Sequence, residues 1–308
     1  VADSSSPKRI LITGASGLVG AALIPLLEER GCRVVKLARH PVSEGSAEAA
    51  WNPDTGQIDL SRASALDAVI HLAGEPIAKR WTPEVKRRIR DSRVRGTHLL
   101  SEALARLPAP PKVLVCASAT GWYGDRGGEW LDENSAPGRG FLAGTCQEWE
   151  AAAAPAREAG IRVVNLRIGL VLSPKGGALS KMLPAFRVGL GGRLGDGRAW
   201  WSWITMDDLL EVIQHALANE SLYGPVNAVS PNPVTNAEFT NTLGRVLHRP
   251  TLIPAPRFAL EMIFGEMGRE ALLPSFRVKP VKLIEAGFQF RFPELESALR
   301  HLLREKRT

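Results

Sequence analysis

Ile10-Leu11-Ile12-Thr13-Gly14-Ala15-Ser16-Gly17-Leu18-Val19-Gly20 is the stretch from which the fold can be read. A short apolar run, a glycine-rich turn and a helical pattern follow one another, the arrangement by which a first parallel strand delivers a pyrophosphate to a helix N-terminus. Glycine is wanted at the crossing point because a side chain would hold the phosphates away from the backbone N–H groups. The spacing is G-x-x-G-x-x-G, which differs from the G-x-G-x-x-G of the usual dehydrogenase fingerprint. Thr13, Gly14, Ser16, Gly17, Leu18, Val19 and Gly20 are therefore expected to bind a dinucleotide.

Working outward, the first half alternates strand and helix. Strands are expected at Ile10–Thr13, Arg33–Leu37, Ala68–Leu72, Val113–Ala117 and Arg162–Leu166. Helices are expected at Gly17–Arg30, with a kink or lost hydrogen bond at Pro25, at Pro83–Leu107, and at Phe141–Ala159. Short apolar strands spaced by helices imply an α/β fold, a Rossmann-type doubly wound parallel sheet covered on both faces. After Leu172 glycine and proline punctuate more often, with helical periods at Ile204–Ala218, Thr235–Leu247 and Phe258–Leu273. The expected division is an NADP-binding Rossmann domain over 7–172 and a smaller C-terminal substrate-side domain over 173–308, some segments of which return to the sheet.

The second strand bears on cofactor choice. Enzymes that prefer the unphosphorylated cofactor offer an acid at its end to the adenosine ribose. Here Val34-Val35-Lys36-Leu37-Ala38 is followed by Arg39, whose guanidinium can pair bidentately with a 2′-phosphate. NADP(H) is the expected cofactor, with Arg39 as discriminator and Lys36 and His40 as neighbouring candidates. His71-Leu72-Ala73-Gly74 closes a later strand where small residues let the backbone approach the adenosine half. Asp67 is expected to hydrogen-bond near the adenine or to cap a turn.

Thirty-nine basic against 32 acidic residues leave a net charge of +7. That balance fits an anionic small-molecule substrate and is too weak to indicate nucleic acid. The basic run from Lys79 to Arg93 reads as a solvated helix face. Cys32, Cys116 and Cys146 match no disulfide or metal pattern, so a reducing, cytoplasmic setting is expected and no metal. No apolar run is long enough to span a membrane, and no membrane partner is expected. Val1–Pro7 is polar and lacks signal-peptide features; the missing Met points to processing or truncation. A dimer is compatible with the sequence, but nothing specifies one.

With these motifs in place the chain resembles the extended, atypical short-chain dehydrogenase/reductase superfamily, in its epimerase-family branch related to nucleoside-diphosphate-sugar epimerases, with a C-terminal domain of unknown function. The specific stretches are Ser118–Gly127, Cys146-Gln147-Glu148-Trp149-Glu150, Asn165–Leu172 and Trp201–Leu209. Phe258-Ala259-Leu260, Phe264-Gly265-Glu266-Met267, Val278-Lys279-Pro280 and Gly287–Pro293 complete the resemblance at the C-terminal end. It implies a Rossmann-type domain and NADP(H) binding; it implies no settled reaction.

The superfamily moves protons with a Tyr and a Lys four residues apart on one helix face, plus a Ser or Thr at an adjacent strand end. Counting back from Glu150 puts Leu142 at the Tyr position and Cys146 at the Lys position. Neither can do the missing work. Ser118 and Tyr123 remain as candidate catalytic hydroxyls, with Cys146 as a candidate thiol. Arg93, Glu133, Lys175, Arg193 and Trp201 are candidate substrate contacts, although a structural role is an equal alternative for each. Two functions follow: an oxidoreductase or epimerase acting on a small or sugar-like carbonyl or hydroxyl substrate, and a non-catalytic NADPH-dependent binding or regulatory protein.

Overall fold

The computed structural model describes residues 9–39, 48–61, 63 and 65–304; His40 and the Val1–Pro7 tail lie outside the described residues. Strands run in the order β1 (Arg9–Thr13), β2 (Arg33–Ala38), β3 (Glu48–Asn52), β4 (Gln57–Asp59), β5 (Ala68–His71), β6 (Val113–Ala119) and β7 (Trp130–Leu131). They continue as β8 (Arg162–Ile168), β9 (Leu170–Leu172), β10 (Trp200–Trp201), β11 (Trp203–Thr205), β12 (Gly224–Ala228), β13 (Val234–Thr235) and β14 (Arg277–Val278). The helices are α1 (Leu18–Glu29), α2 (Pro83–Ala105), α3 (Phe141–Ala151), α4 (Ala154–Glu158) and α5 (Gly177–Arg187). Then follow α6 (Met206–Ala218), α7 (Asn236–Leu247), α8 (Arg257–Phe264), α9 (Val281–Glu285) and α10 (Leu295–Leu302).

Eight strands form one sheet in the order β12-β8-β6-β5-β1-β2-β3-β4. Every pairing is parallel except β3 with β4, which closes one edge antiparallel. From β1 the chain first winds outward through β2 and β3, then returns to the other side of β1 as β5. The direction of winding reverses between β1 and β5, which opens a crevice at their carboxyl ends. Apolar side chains cover both faces: Ile10, Ile12, Ile70 and Val115 pack beneath α1 and α6, while Leu11, Val69, Leu114 and Val163 pack beneath α2 and α4. Strands buried on both faces need such continuous apolar runs.

Several boundaries differ from the sequence reading for local reasons. Pro25 sits inside α1 without ending it. The expected helix over Phe141–Ala159 is two helices, because α4 restarts with Pro155 in its first turn, where a missing N–H costs nothing. Strands β3 and β4 were not anticipated. The segment after Leu172 supplies β12 to the main sheet, beside β8. A third apolar cluster, built on Leu172, Leu179, Trp203, Phe239 and Leu299, holds α5, α7 and α10 together. Among the described residues no helix is long and apolar enough to cross a membrane.

Candidate cofactor and substrate site

The turn after β1 is tied directly to the end of β5. Thr13 Oγ1 accepts the N–H groups of Leu72 and Ala73, both at 3.1 Å, and lies 2.7 Å from His71 Nδ1. With two donors already on that oxygen, its own proton belongs to Nδ1, so His71 keeps its proton on Nε2. From there it donates to Thr97 Oγ1 at 2.9 Å, which also accepts the Trp149 indole N–H at 2.9 Å. Burial pushes His71 down to about 4, which keeps the ring neutral. His71 is thus a buried strut, and it is the backbone of Leu72 and Ala73 that faces the turn.

Gly14 and Gly20 stand where a Cβ has no room, and Gly17 where one would be tight. Gly14 has φ +69°, and a Cβ there would lie 2.8 Å from the Leu72 carbonyl. At Gly20 a Cβ would lie 2.3 Å from Gly14 O. Gly17 N donates to Gly14 O at 3.0 Å and caps α1 with no side chain of its own. The first turn of α1 contains no acid, and Ser16 and Gly17 are exposed. Uncapped N–H groups at the positive end of a helix, beside a cradle that any side chain would fill, fit a pyrophosphate. Arg39 is exposed one residue beyond β2, and Lys36 is half-buried within it. Asp67 does not stand near an adenine: it accepts Arg9 N at 2.8 Å at the amino end of β5, the far end from this crevice.

Leu142 and Cys146 share one face of α3, as the spacing requires. A Cβ on Gly121 would lie 3.5 Å from Leu142 Cβ and 3.8 Å from Cys146 Sγ. Burial, with Glu150's charge adding to it, pushes the Cys146 thiol up to about 12. Burial thus works against the thiolate that reactive-cysteine chemistry needs. Arg93 approaches from α2. Its Nη1 donates to the carbonyls of Glu75 and Ile89, each at 3.0 Å, and its guanidinium stands 5.0 Å from the Trp149 ring centroid. A Cβ added to Gly74 would be 3.2 Å from its Cζ.

Ser118 and Tyr123 belong to a buried network that the sequence reading did not assemble. Across the carboxyl end of the sheet Ser118, Arg167 and Asn227 stand side by side in register. Arg167 donates from Nε and Nη2 to Glu150 Oε1 and Oε2 at 2.8 and 3.0 Å, and from Nη1 to Tyr123 OH at 3.1 Å. Its guanidinium stacks on Trp122, 3.8 Å from the ring centroid. Ser118 Oγ donates to Glu150 Oε1 at 2.7 Å, and Tyr123 OH donates to Asn227 Oδ1 at 2.7 Å. Tyr123 is fully buried, and burial pushes its phenol up to about 12. Both hydroxyls are committed to partners inside the protein. Glu133 is buried in the same network, accepting the N–H groups of Asn227 at 3.0 Å and Lys282 at 3.3 Å; burial raises its carboxyl above the usual range.

The remaining candidates separate. Trp201 packs on Phe239, ring centroids 5.1 Å apart, within the apolar cluster under α7. Lys175 is exposed in the loop after β9, next to Gly176, which touches Leu18 at the start of α1. Arg193 is exposed in the glycine-rich loop, where its carbonyl accepts Ala255 N at 2.8 Å. The basic run on α2 is largely paired on the surface, Lys86 with Glu266, Arg87 with Glu84 and Arg90 with Glu148. Glu270 was missed altogether. It reaches from the C-terminal region to accept the N–H groups of Phe141 and Leu142 at 3.1 and 3.0 Å, capping α3. An acid 128 residues away from the helix it caps has no local sequence signal.

Comparison with known proteins places this geometry. The model of the NAD dependent epimerase/dehydratase family matches residues 10–228, and that of a domain of unknown function, DUF1731, matches residues 255–302. An epimerase family protein of Mycobacterium bovis is 44% identical, covering 94% of this chain and 96% of the relative. The crystal structure of human epimerase family protein SDR39U1 with NADPH is similar at a TM-score of 0.86 and 35% identity, over 96% of this chain and 98% of that one. A nucleoside-diphosphate sugar epimerase from Corynebacterium glutamicum gives 0.79 and 36%, over 97% of this chain and 59% of that one. This chain belongs to the NAD dependent epimerase/dehydratase family and ends in a DUF1731 domain.

Proposed function

We propose that this protein binds NADP(H) and acts as an oxidoreductase on a small carbonyl or hydroxyl substrate without the Tyr–Lys pair. The observation that carries the reading is the tight turn in which Gly14 stands against Leu72 and Ala73 and Gly20 against Gly14, with the uncapped first turn of α1 beside it. NADPH in the human relative's structure supports it. The Thr13–Gly20 turn would hold the pyrophosphate and Arg39 the 2′-phosphate, while the backbone at Leu72–Gly74 admits the adenosine half. NADP(H) supplies or accepts hydride when bound. Ser118 and Tyr123 are tied to Glu150 and Asn227, so the accompanying proton comes from water or from the substrate itself. Arg93 faces the crevice as its positioned cation. A reducing, cytoplasmic setting suits the three free cysteines.

The second reading, cofactor-dependent binding without turnover, is favoured by one observation: α3 presents Leu142 and a neutral Cys146 where proton chemistry is expected. The first test is tryptophan fluorescence of cofactor-free protein titrated with NADPH and NADH, repeated with Arg39→Ala. We expect tight NADPH binding and weak NADH binding, with the preference lost in the variant. Absence of binding to either cofactor overturns both readings.

A further inference from the structure

Arg93 and the surface around Leu142 define what kind of molecule this crevice takes. Among the described residues no carboxylate lies within ion-pair distance of Arg93. Glu75, 18 residues earlier, gives its carboxylate to Lys79 at 2.6 Å and its carbonyl to Arg93. Nη1 is spent on two carbonyls, and among the described residues Nε and Nη2 make no hydrogen bond. Burial holds the guanidinium below its ordinary value. A half-buried cation with no ion pair of its own, whose nearest carboxylate is engaged by Lys79, is costly, and an anionic ligand offsets that cost. Trp149, anchored through Thr97 to His71, keeps the guanidinium in place beside Gly74.

One turn along α3 from Cys146 the chemistry changes. Leu142 joins Ile77, Phe141, Phe264 and Leu272, all half-buried, around Trp81, Ile89 and Met267. The C-terminal region thus lays an apolar wall beside the cation, held there by Glu270 on the first turn of α3. A sugar ring against such a wall would leave hydroxyls without partners, each costing about 1–3 kcal/mol. An aliphatic or aromatic body would gain from the contact.

We propose that the substrate is an amphipathic carboxylate, its anionic head on Arg93 and its apolar body on the Leu142 wall, in preference to a nucleotide sugar. This rests on the cofactor reading above and narrows its substrate class.

The test is calorimetric titration of NADP+-saturated protein with phenylpyruvate, octanoate and UDP-glucose. Phenylpyruvate and octanoate should bind more tightly than UDP-glucose. Arg93→Gln should weaken both by about tenfold or more, as loss of a charge-assisted pair does, with Arg93→Lys intermediate. Leu142→Asn should weaken both while NADP+ affinity changes less than about threefold, since the wall does not touch the phosphate turn. Thermal melts confirm that each variant is folded. Tighter binding of UDP-glucose, no binding of either acid, or acid binding indifferent to Arg93→Gln overturns the proposal. Failure of the cofactor reading shows separately, as a protein that cannot be loaded with NADP+.

Discussion

Arg167 and Glu150 form a two-point ion pair, Nε to Oε1 and Nη2 to Oε2 at 2.8 and 3.0 Å, with both side chains buried at the carboxyl end of the sheet. Burial opposes the charge on Arg167, but the hydrogen bonds and charge of Glu150 outweigh it and its pKa is raised. Removing one partner strands the other. Arg167→Met should cost about 3–5 kcal/mol of stability in urea unfolding. The double variant with Glu150→Leu should recover part of that loss, because no unpaired carboxylate remains. A double variant as unstable as the sum of the single changes would deny the coupling.

Glu270 joins the C-terminal region to the helix that faces the crevice. Glu270→Ala should lower stability by about 1 kcal/mol, the value of a lost N-terminal cap. Phe141 and Leu142 lose their acceptor together, so amide hydrogen exchange should quicken at both. Exchange unchanged there, with stability also unchanged, would show that solvent replaces the carboxylate without penalty.

The parts of the site legible in the sequence are those whose physics is local. Strand, glycine turn and helix N-terminus lie within 10–29, so Gly14, Gly17 and Gly20 could be placed before any contact was known. The face shared by Leu142 and Cys146 follows from helical spacing alone. Arg93 was legible as a charge, but not as a cation without an ion pair among the described residues, because that depends on what Glu75 and Trp149 do in space. The network of Ser118, Glu150, Arg167, Tyr123 and Asn227 draws on β6, α3, β8 and β12, whose side-by-side register only the folded sheet creates. That the candidate hydroxyl of Tyr123 is held by Asn227 was not legible for the same reason, since the two lie 104 residues apart. Strands β3 and β4 escaped notice because they are short, and alternation over so few residues is a weak signal.

Gly20 offers a direct test of the cofactor cradle. A methyl group at this position would lie 2.3 Å from Gly14 O, and the neighbour is backbone that cannot swing aside. Gly20→Ala should therefore displace the turn, at a cost of about 1–3 kcal/mol. NADPH affinity should fall with it, while far-UV circular dichroism stays unchanged. Gly144, where an added Cβ meets nothing within 4 Å, supplies the control, since Gly144→Ala should leave cofactor affinity intact. Undiminished NADPH binding in Gly20→Ala would remove the turn as the phosphate site.

His71 ties stability to pH. Burial lowers its pKa from 6.5 to about 4, so the folded protein resists a proton that the unfolded chain accepts. For a base held neutral in this way, its share of stability is intact above pH ~6.5 and falls as pH drops from there toward ~4, by about 3 kcal/mol in total. Between pH 7 and pH 5 the loss is about 2 kcal/mol. His71→Asn removes the titrating ring and also the bonds to Thr13 and Thr97, so it should be less stable than the parent at pH 7. The gap should narrow by about 2 kcal/mol at pH 5, where the parent has lost its advantage and the variant has nothing to protonate at that position. Urea unfolding of both proteins at the two pH values measures this. A gap that is the same at both would mean that His71 takes up its proton in the folded protein as readily as in the unfolded chain, so that burial does not hold the ring neutral.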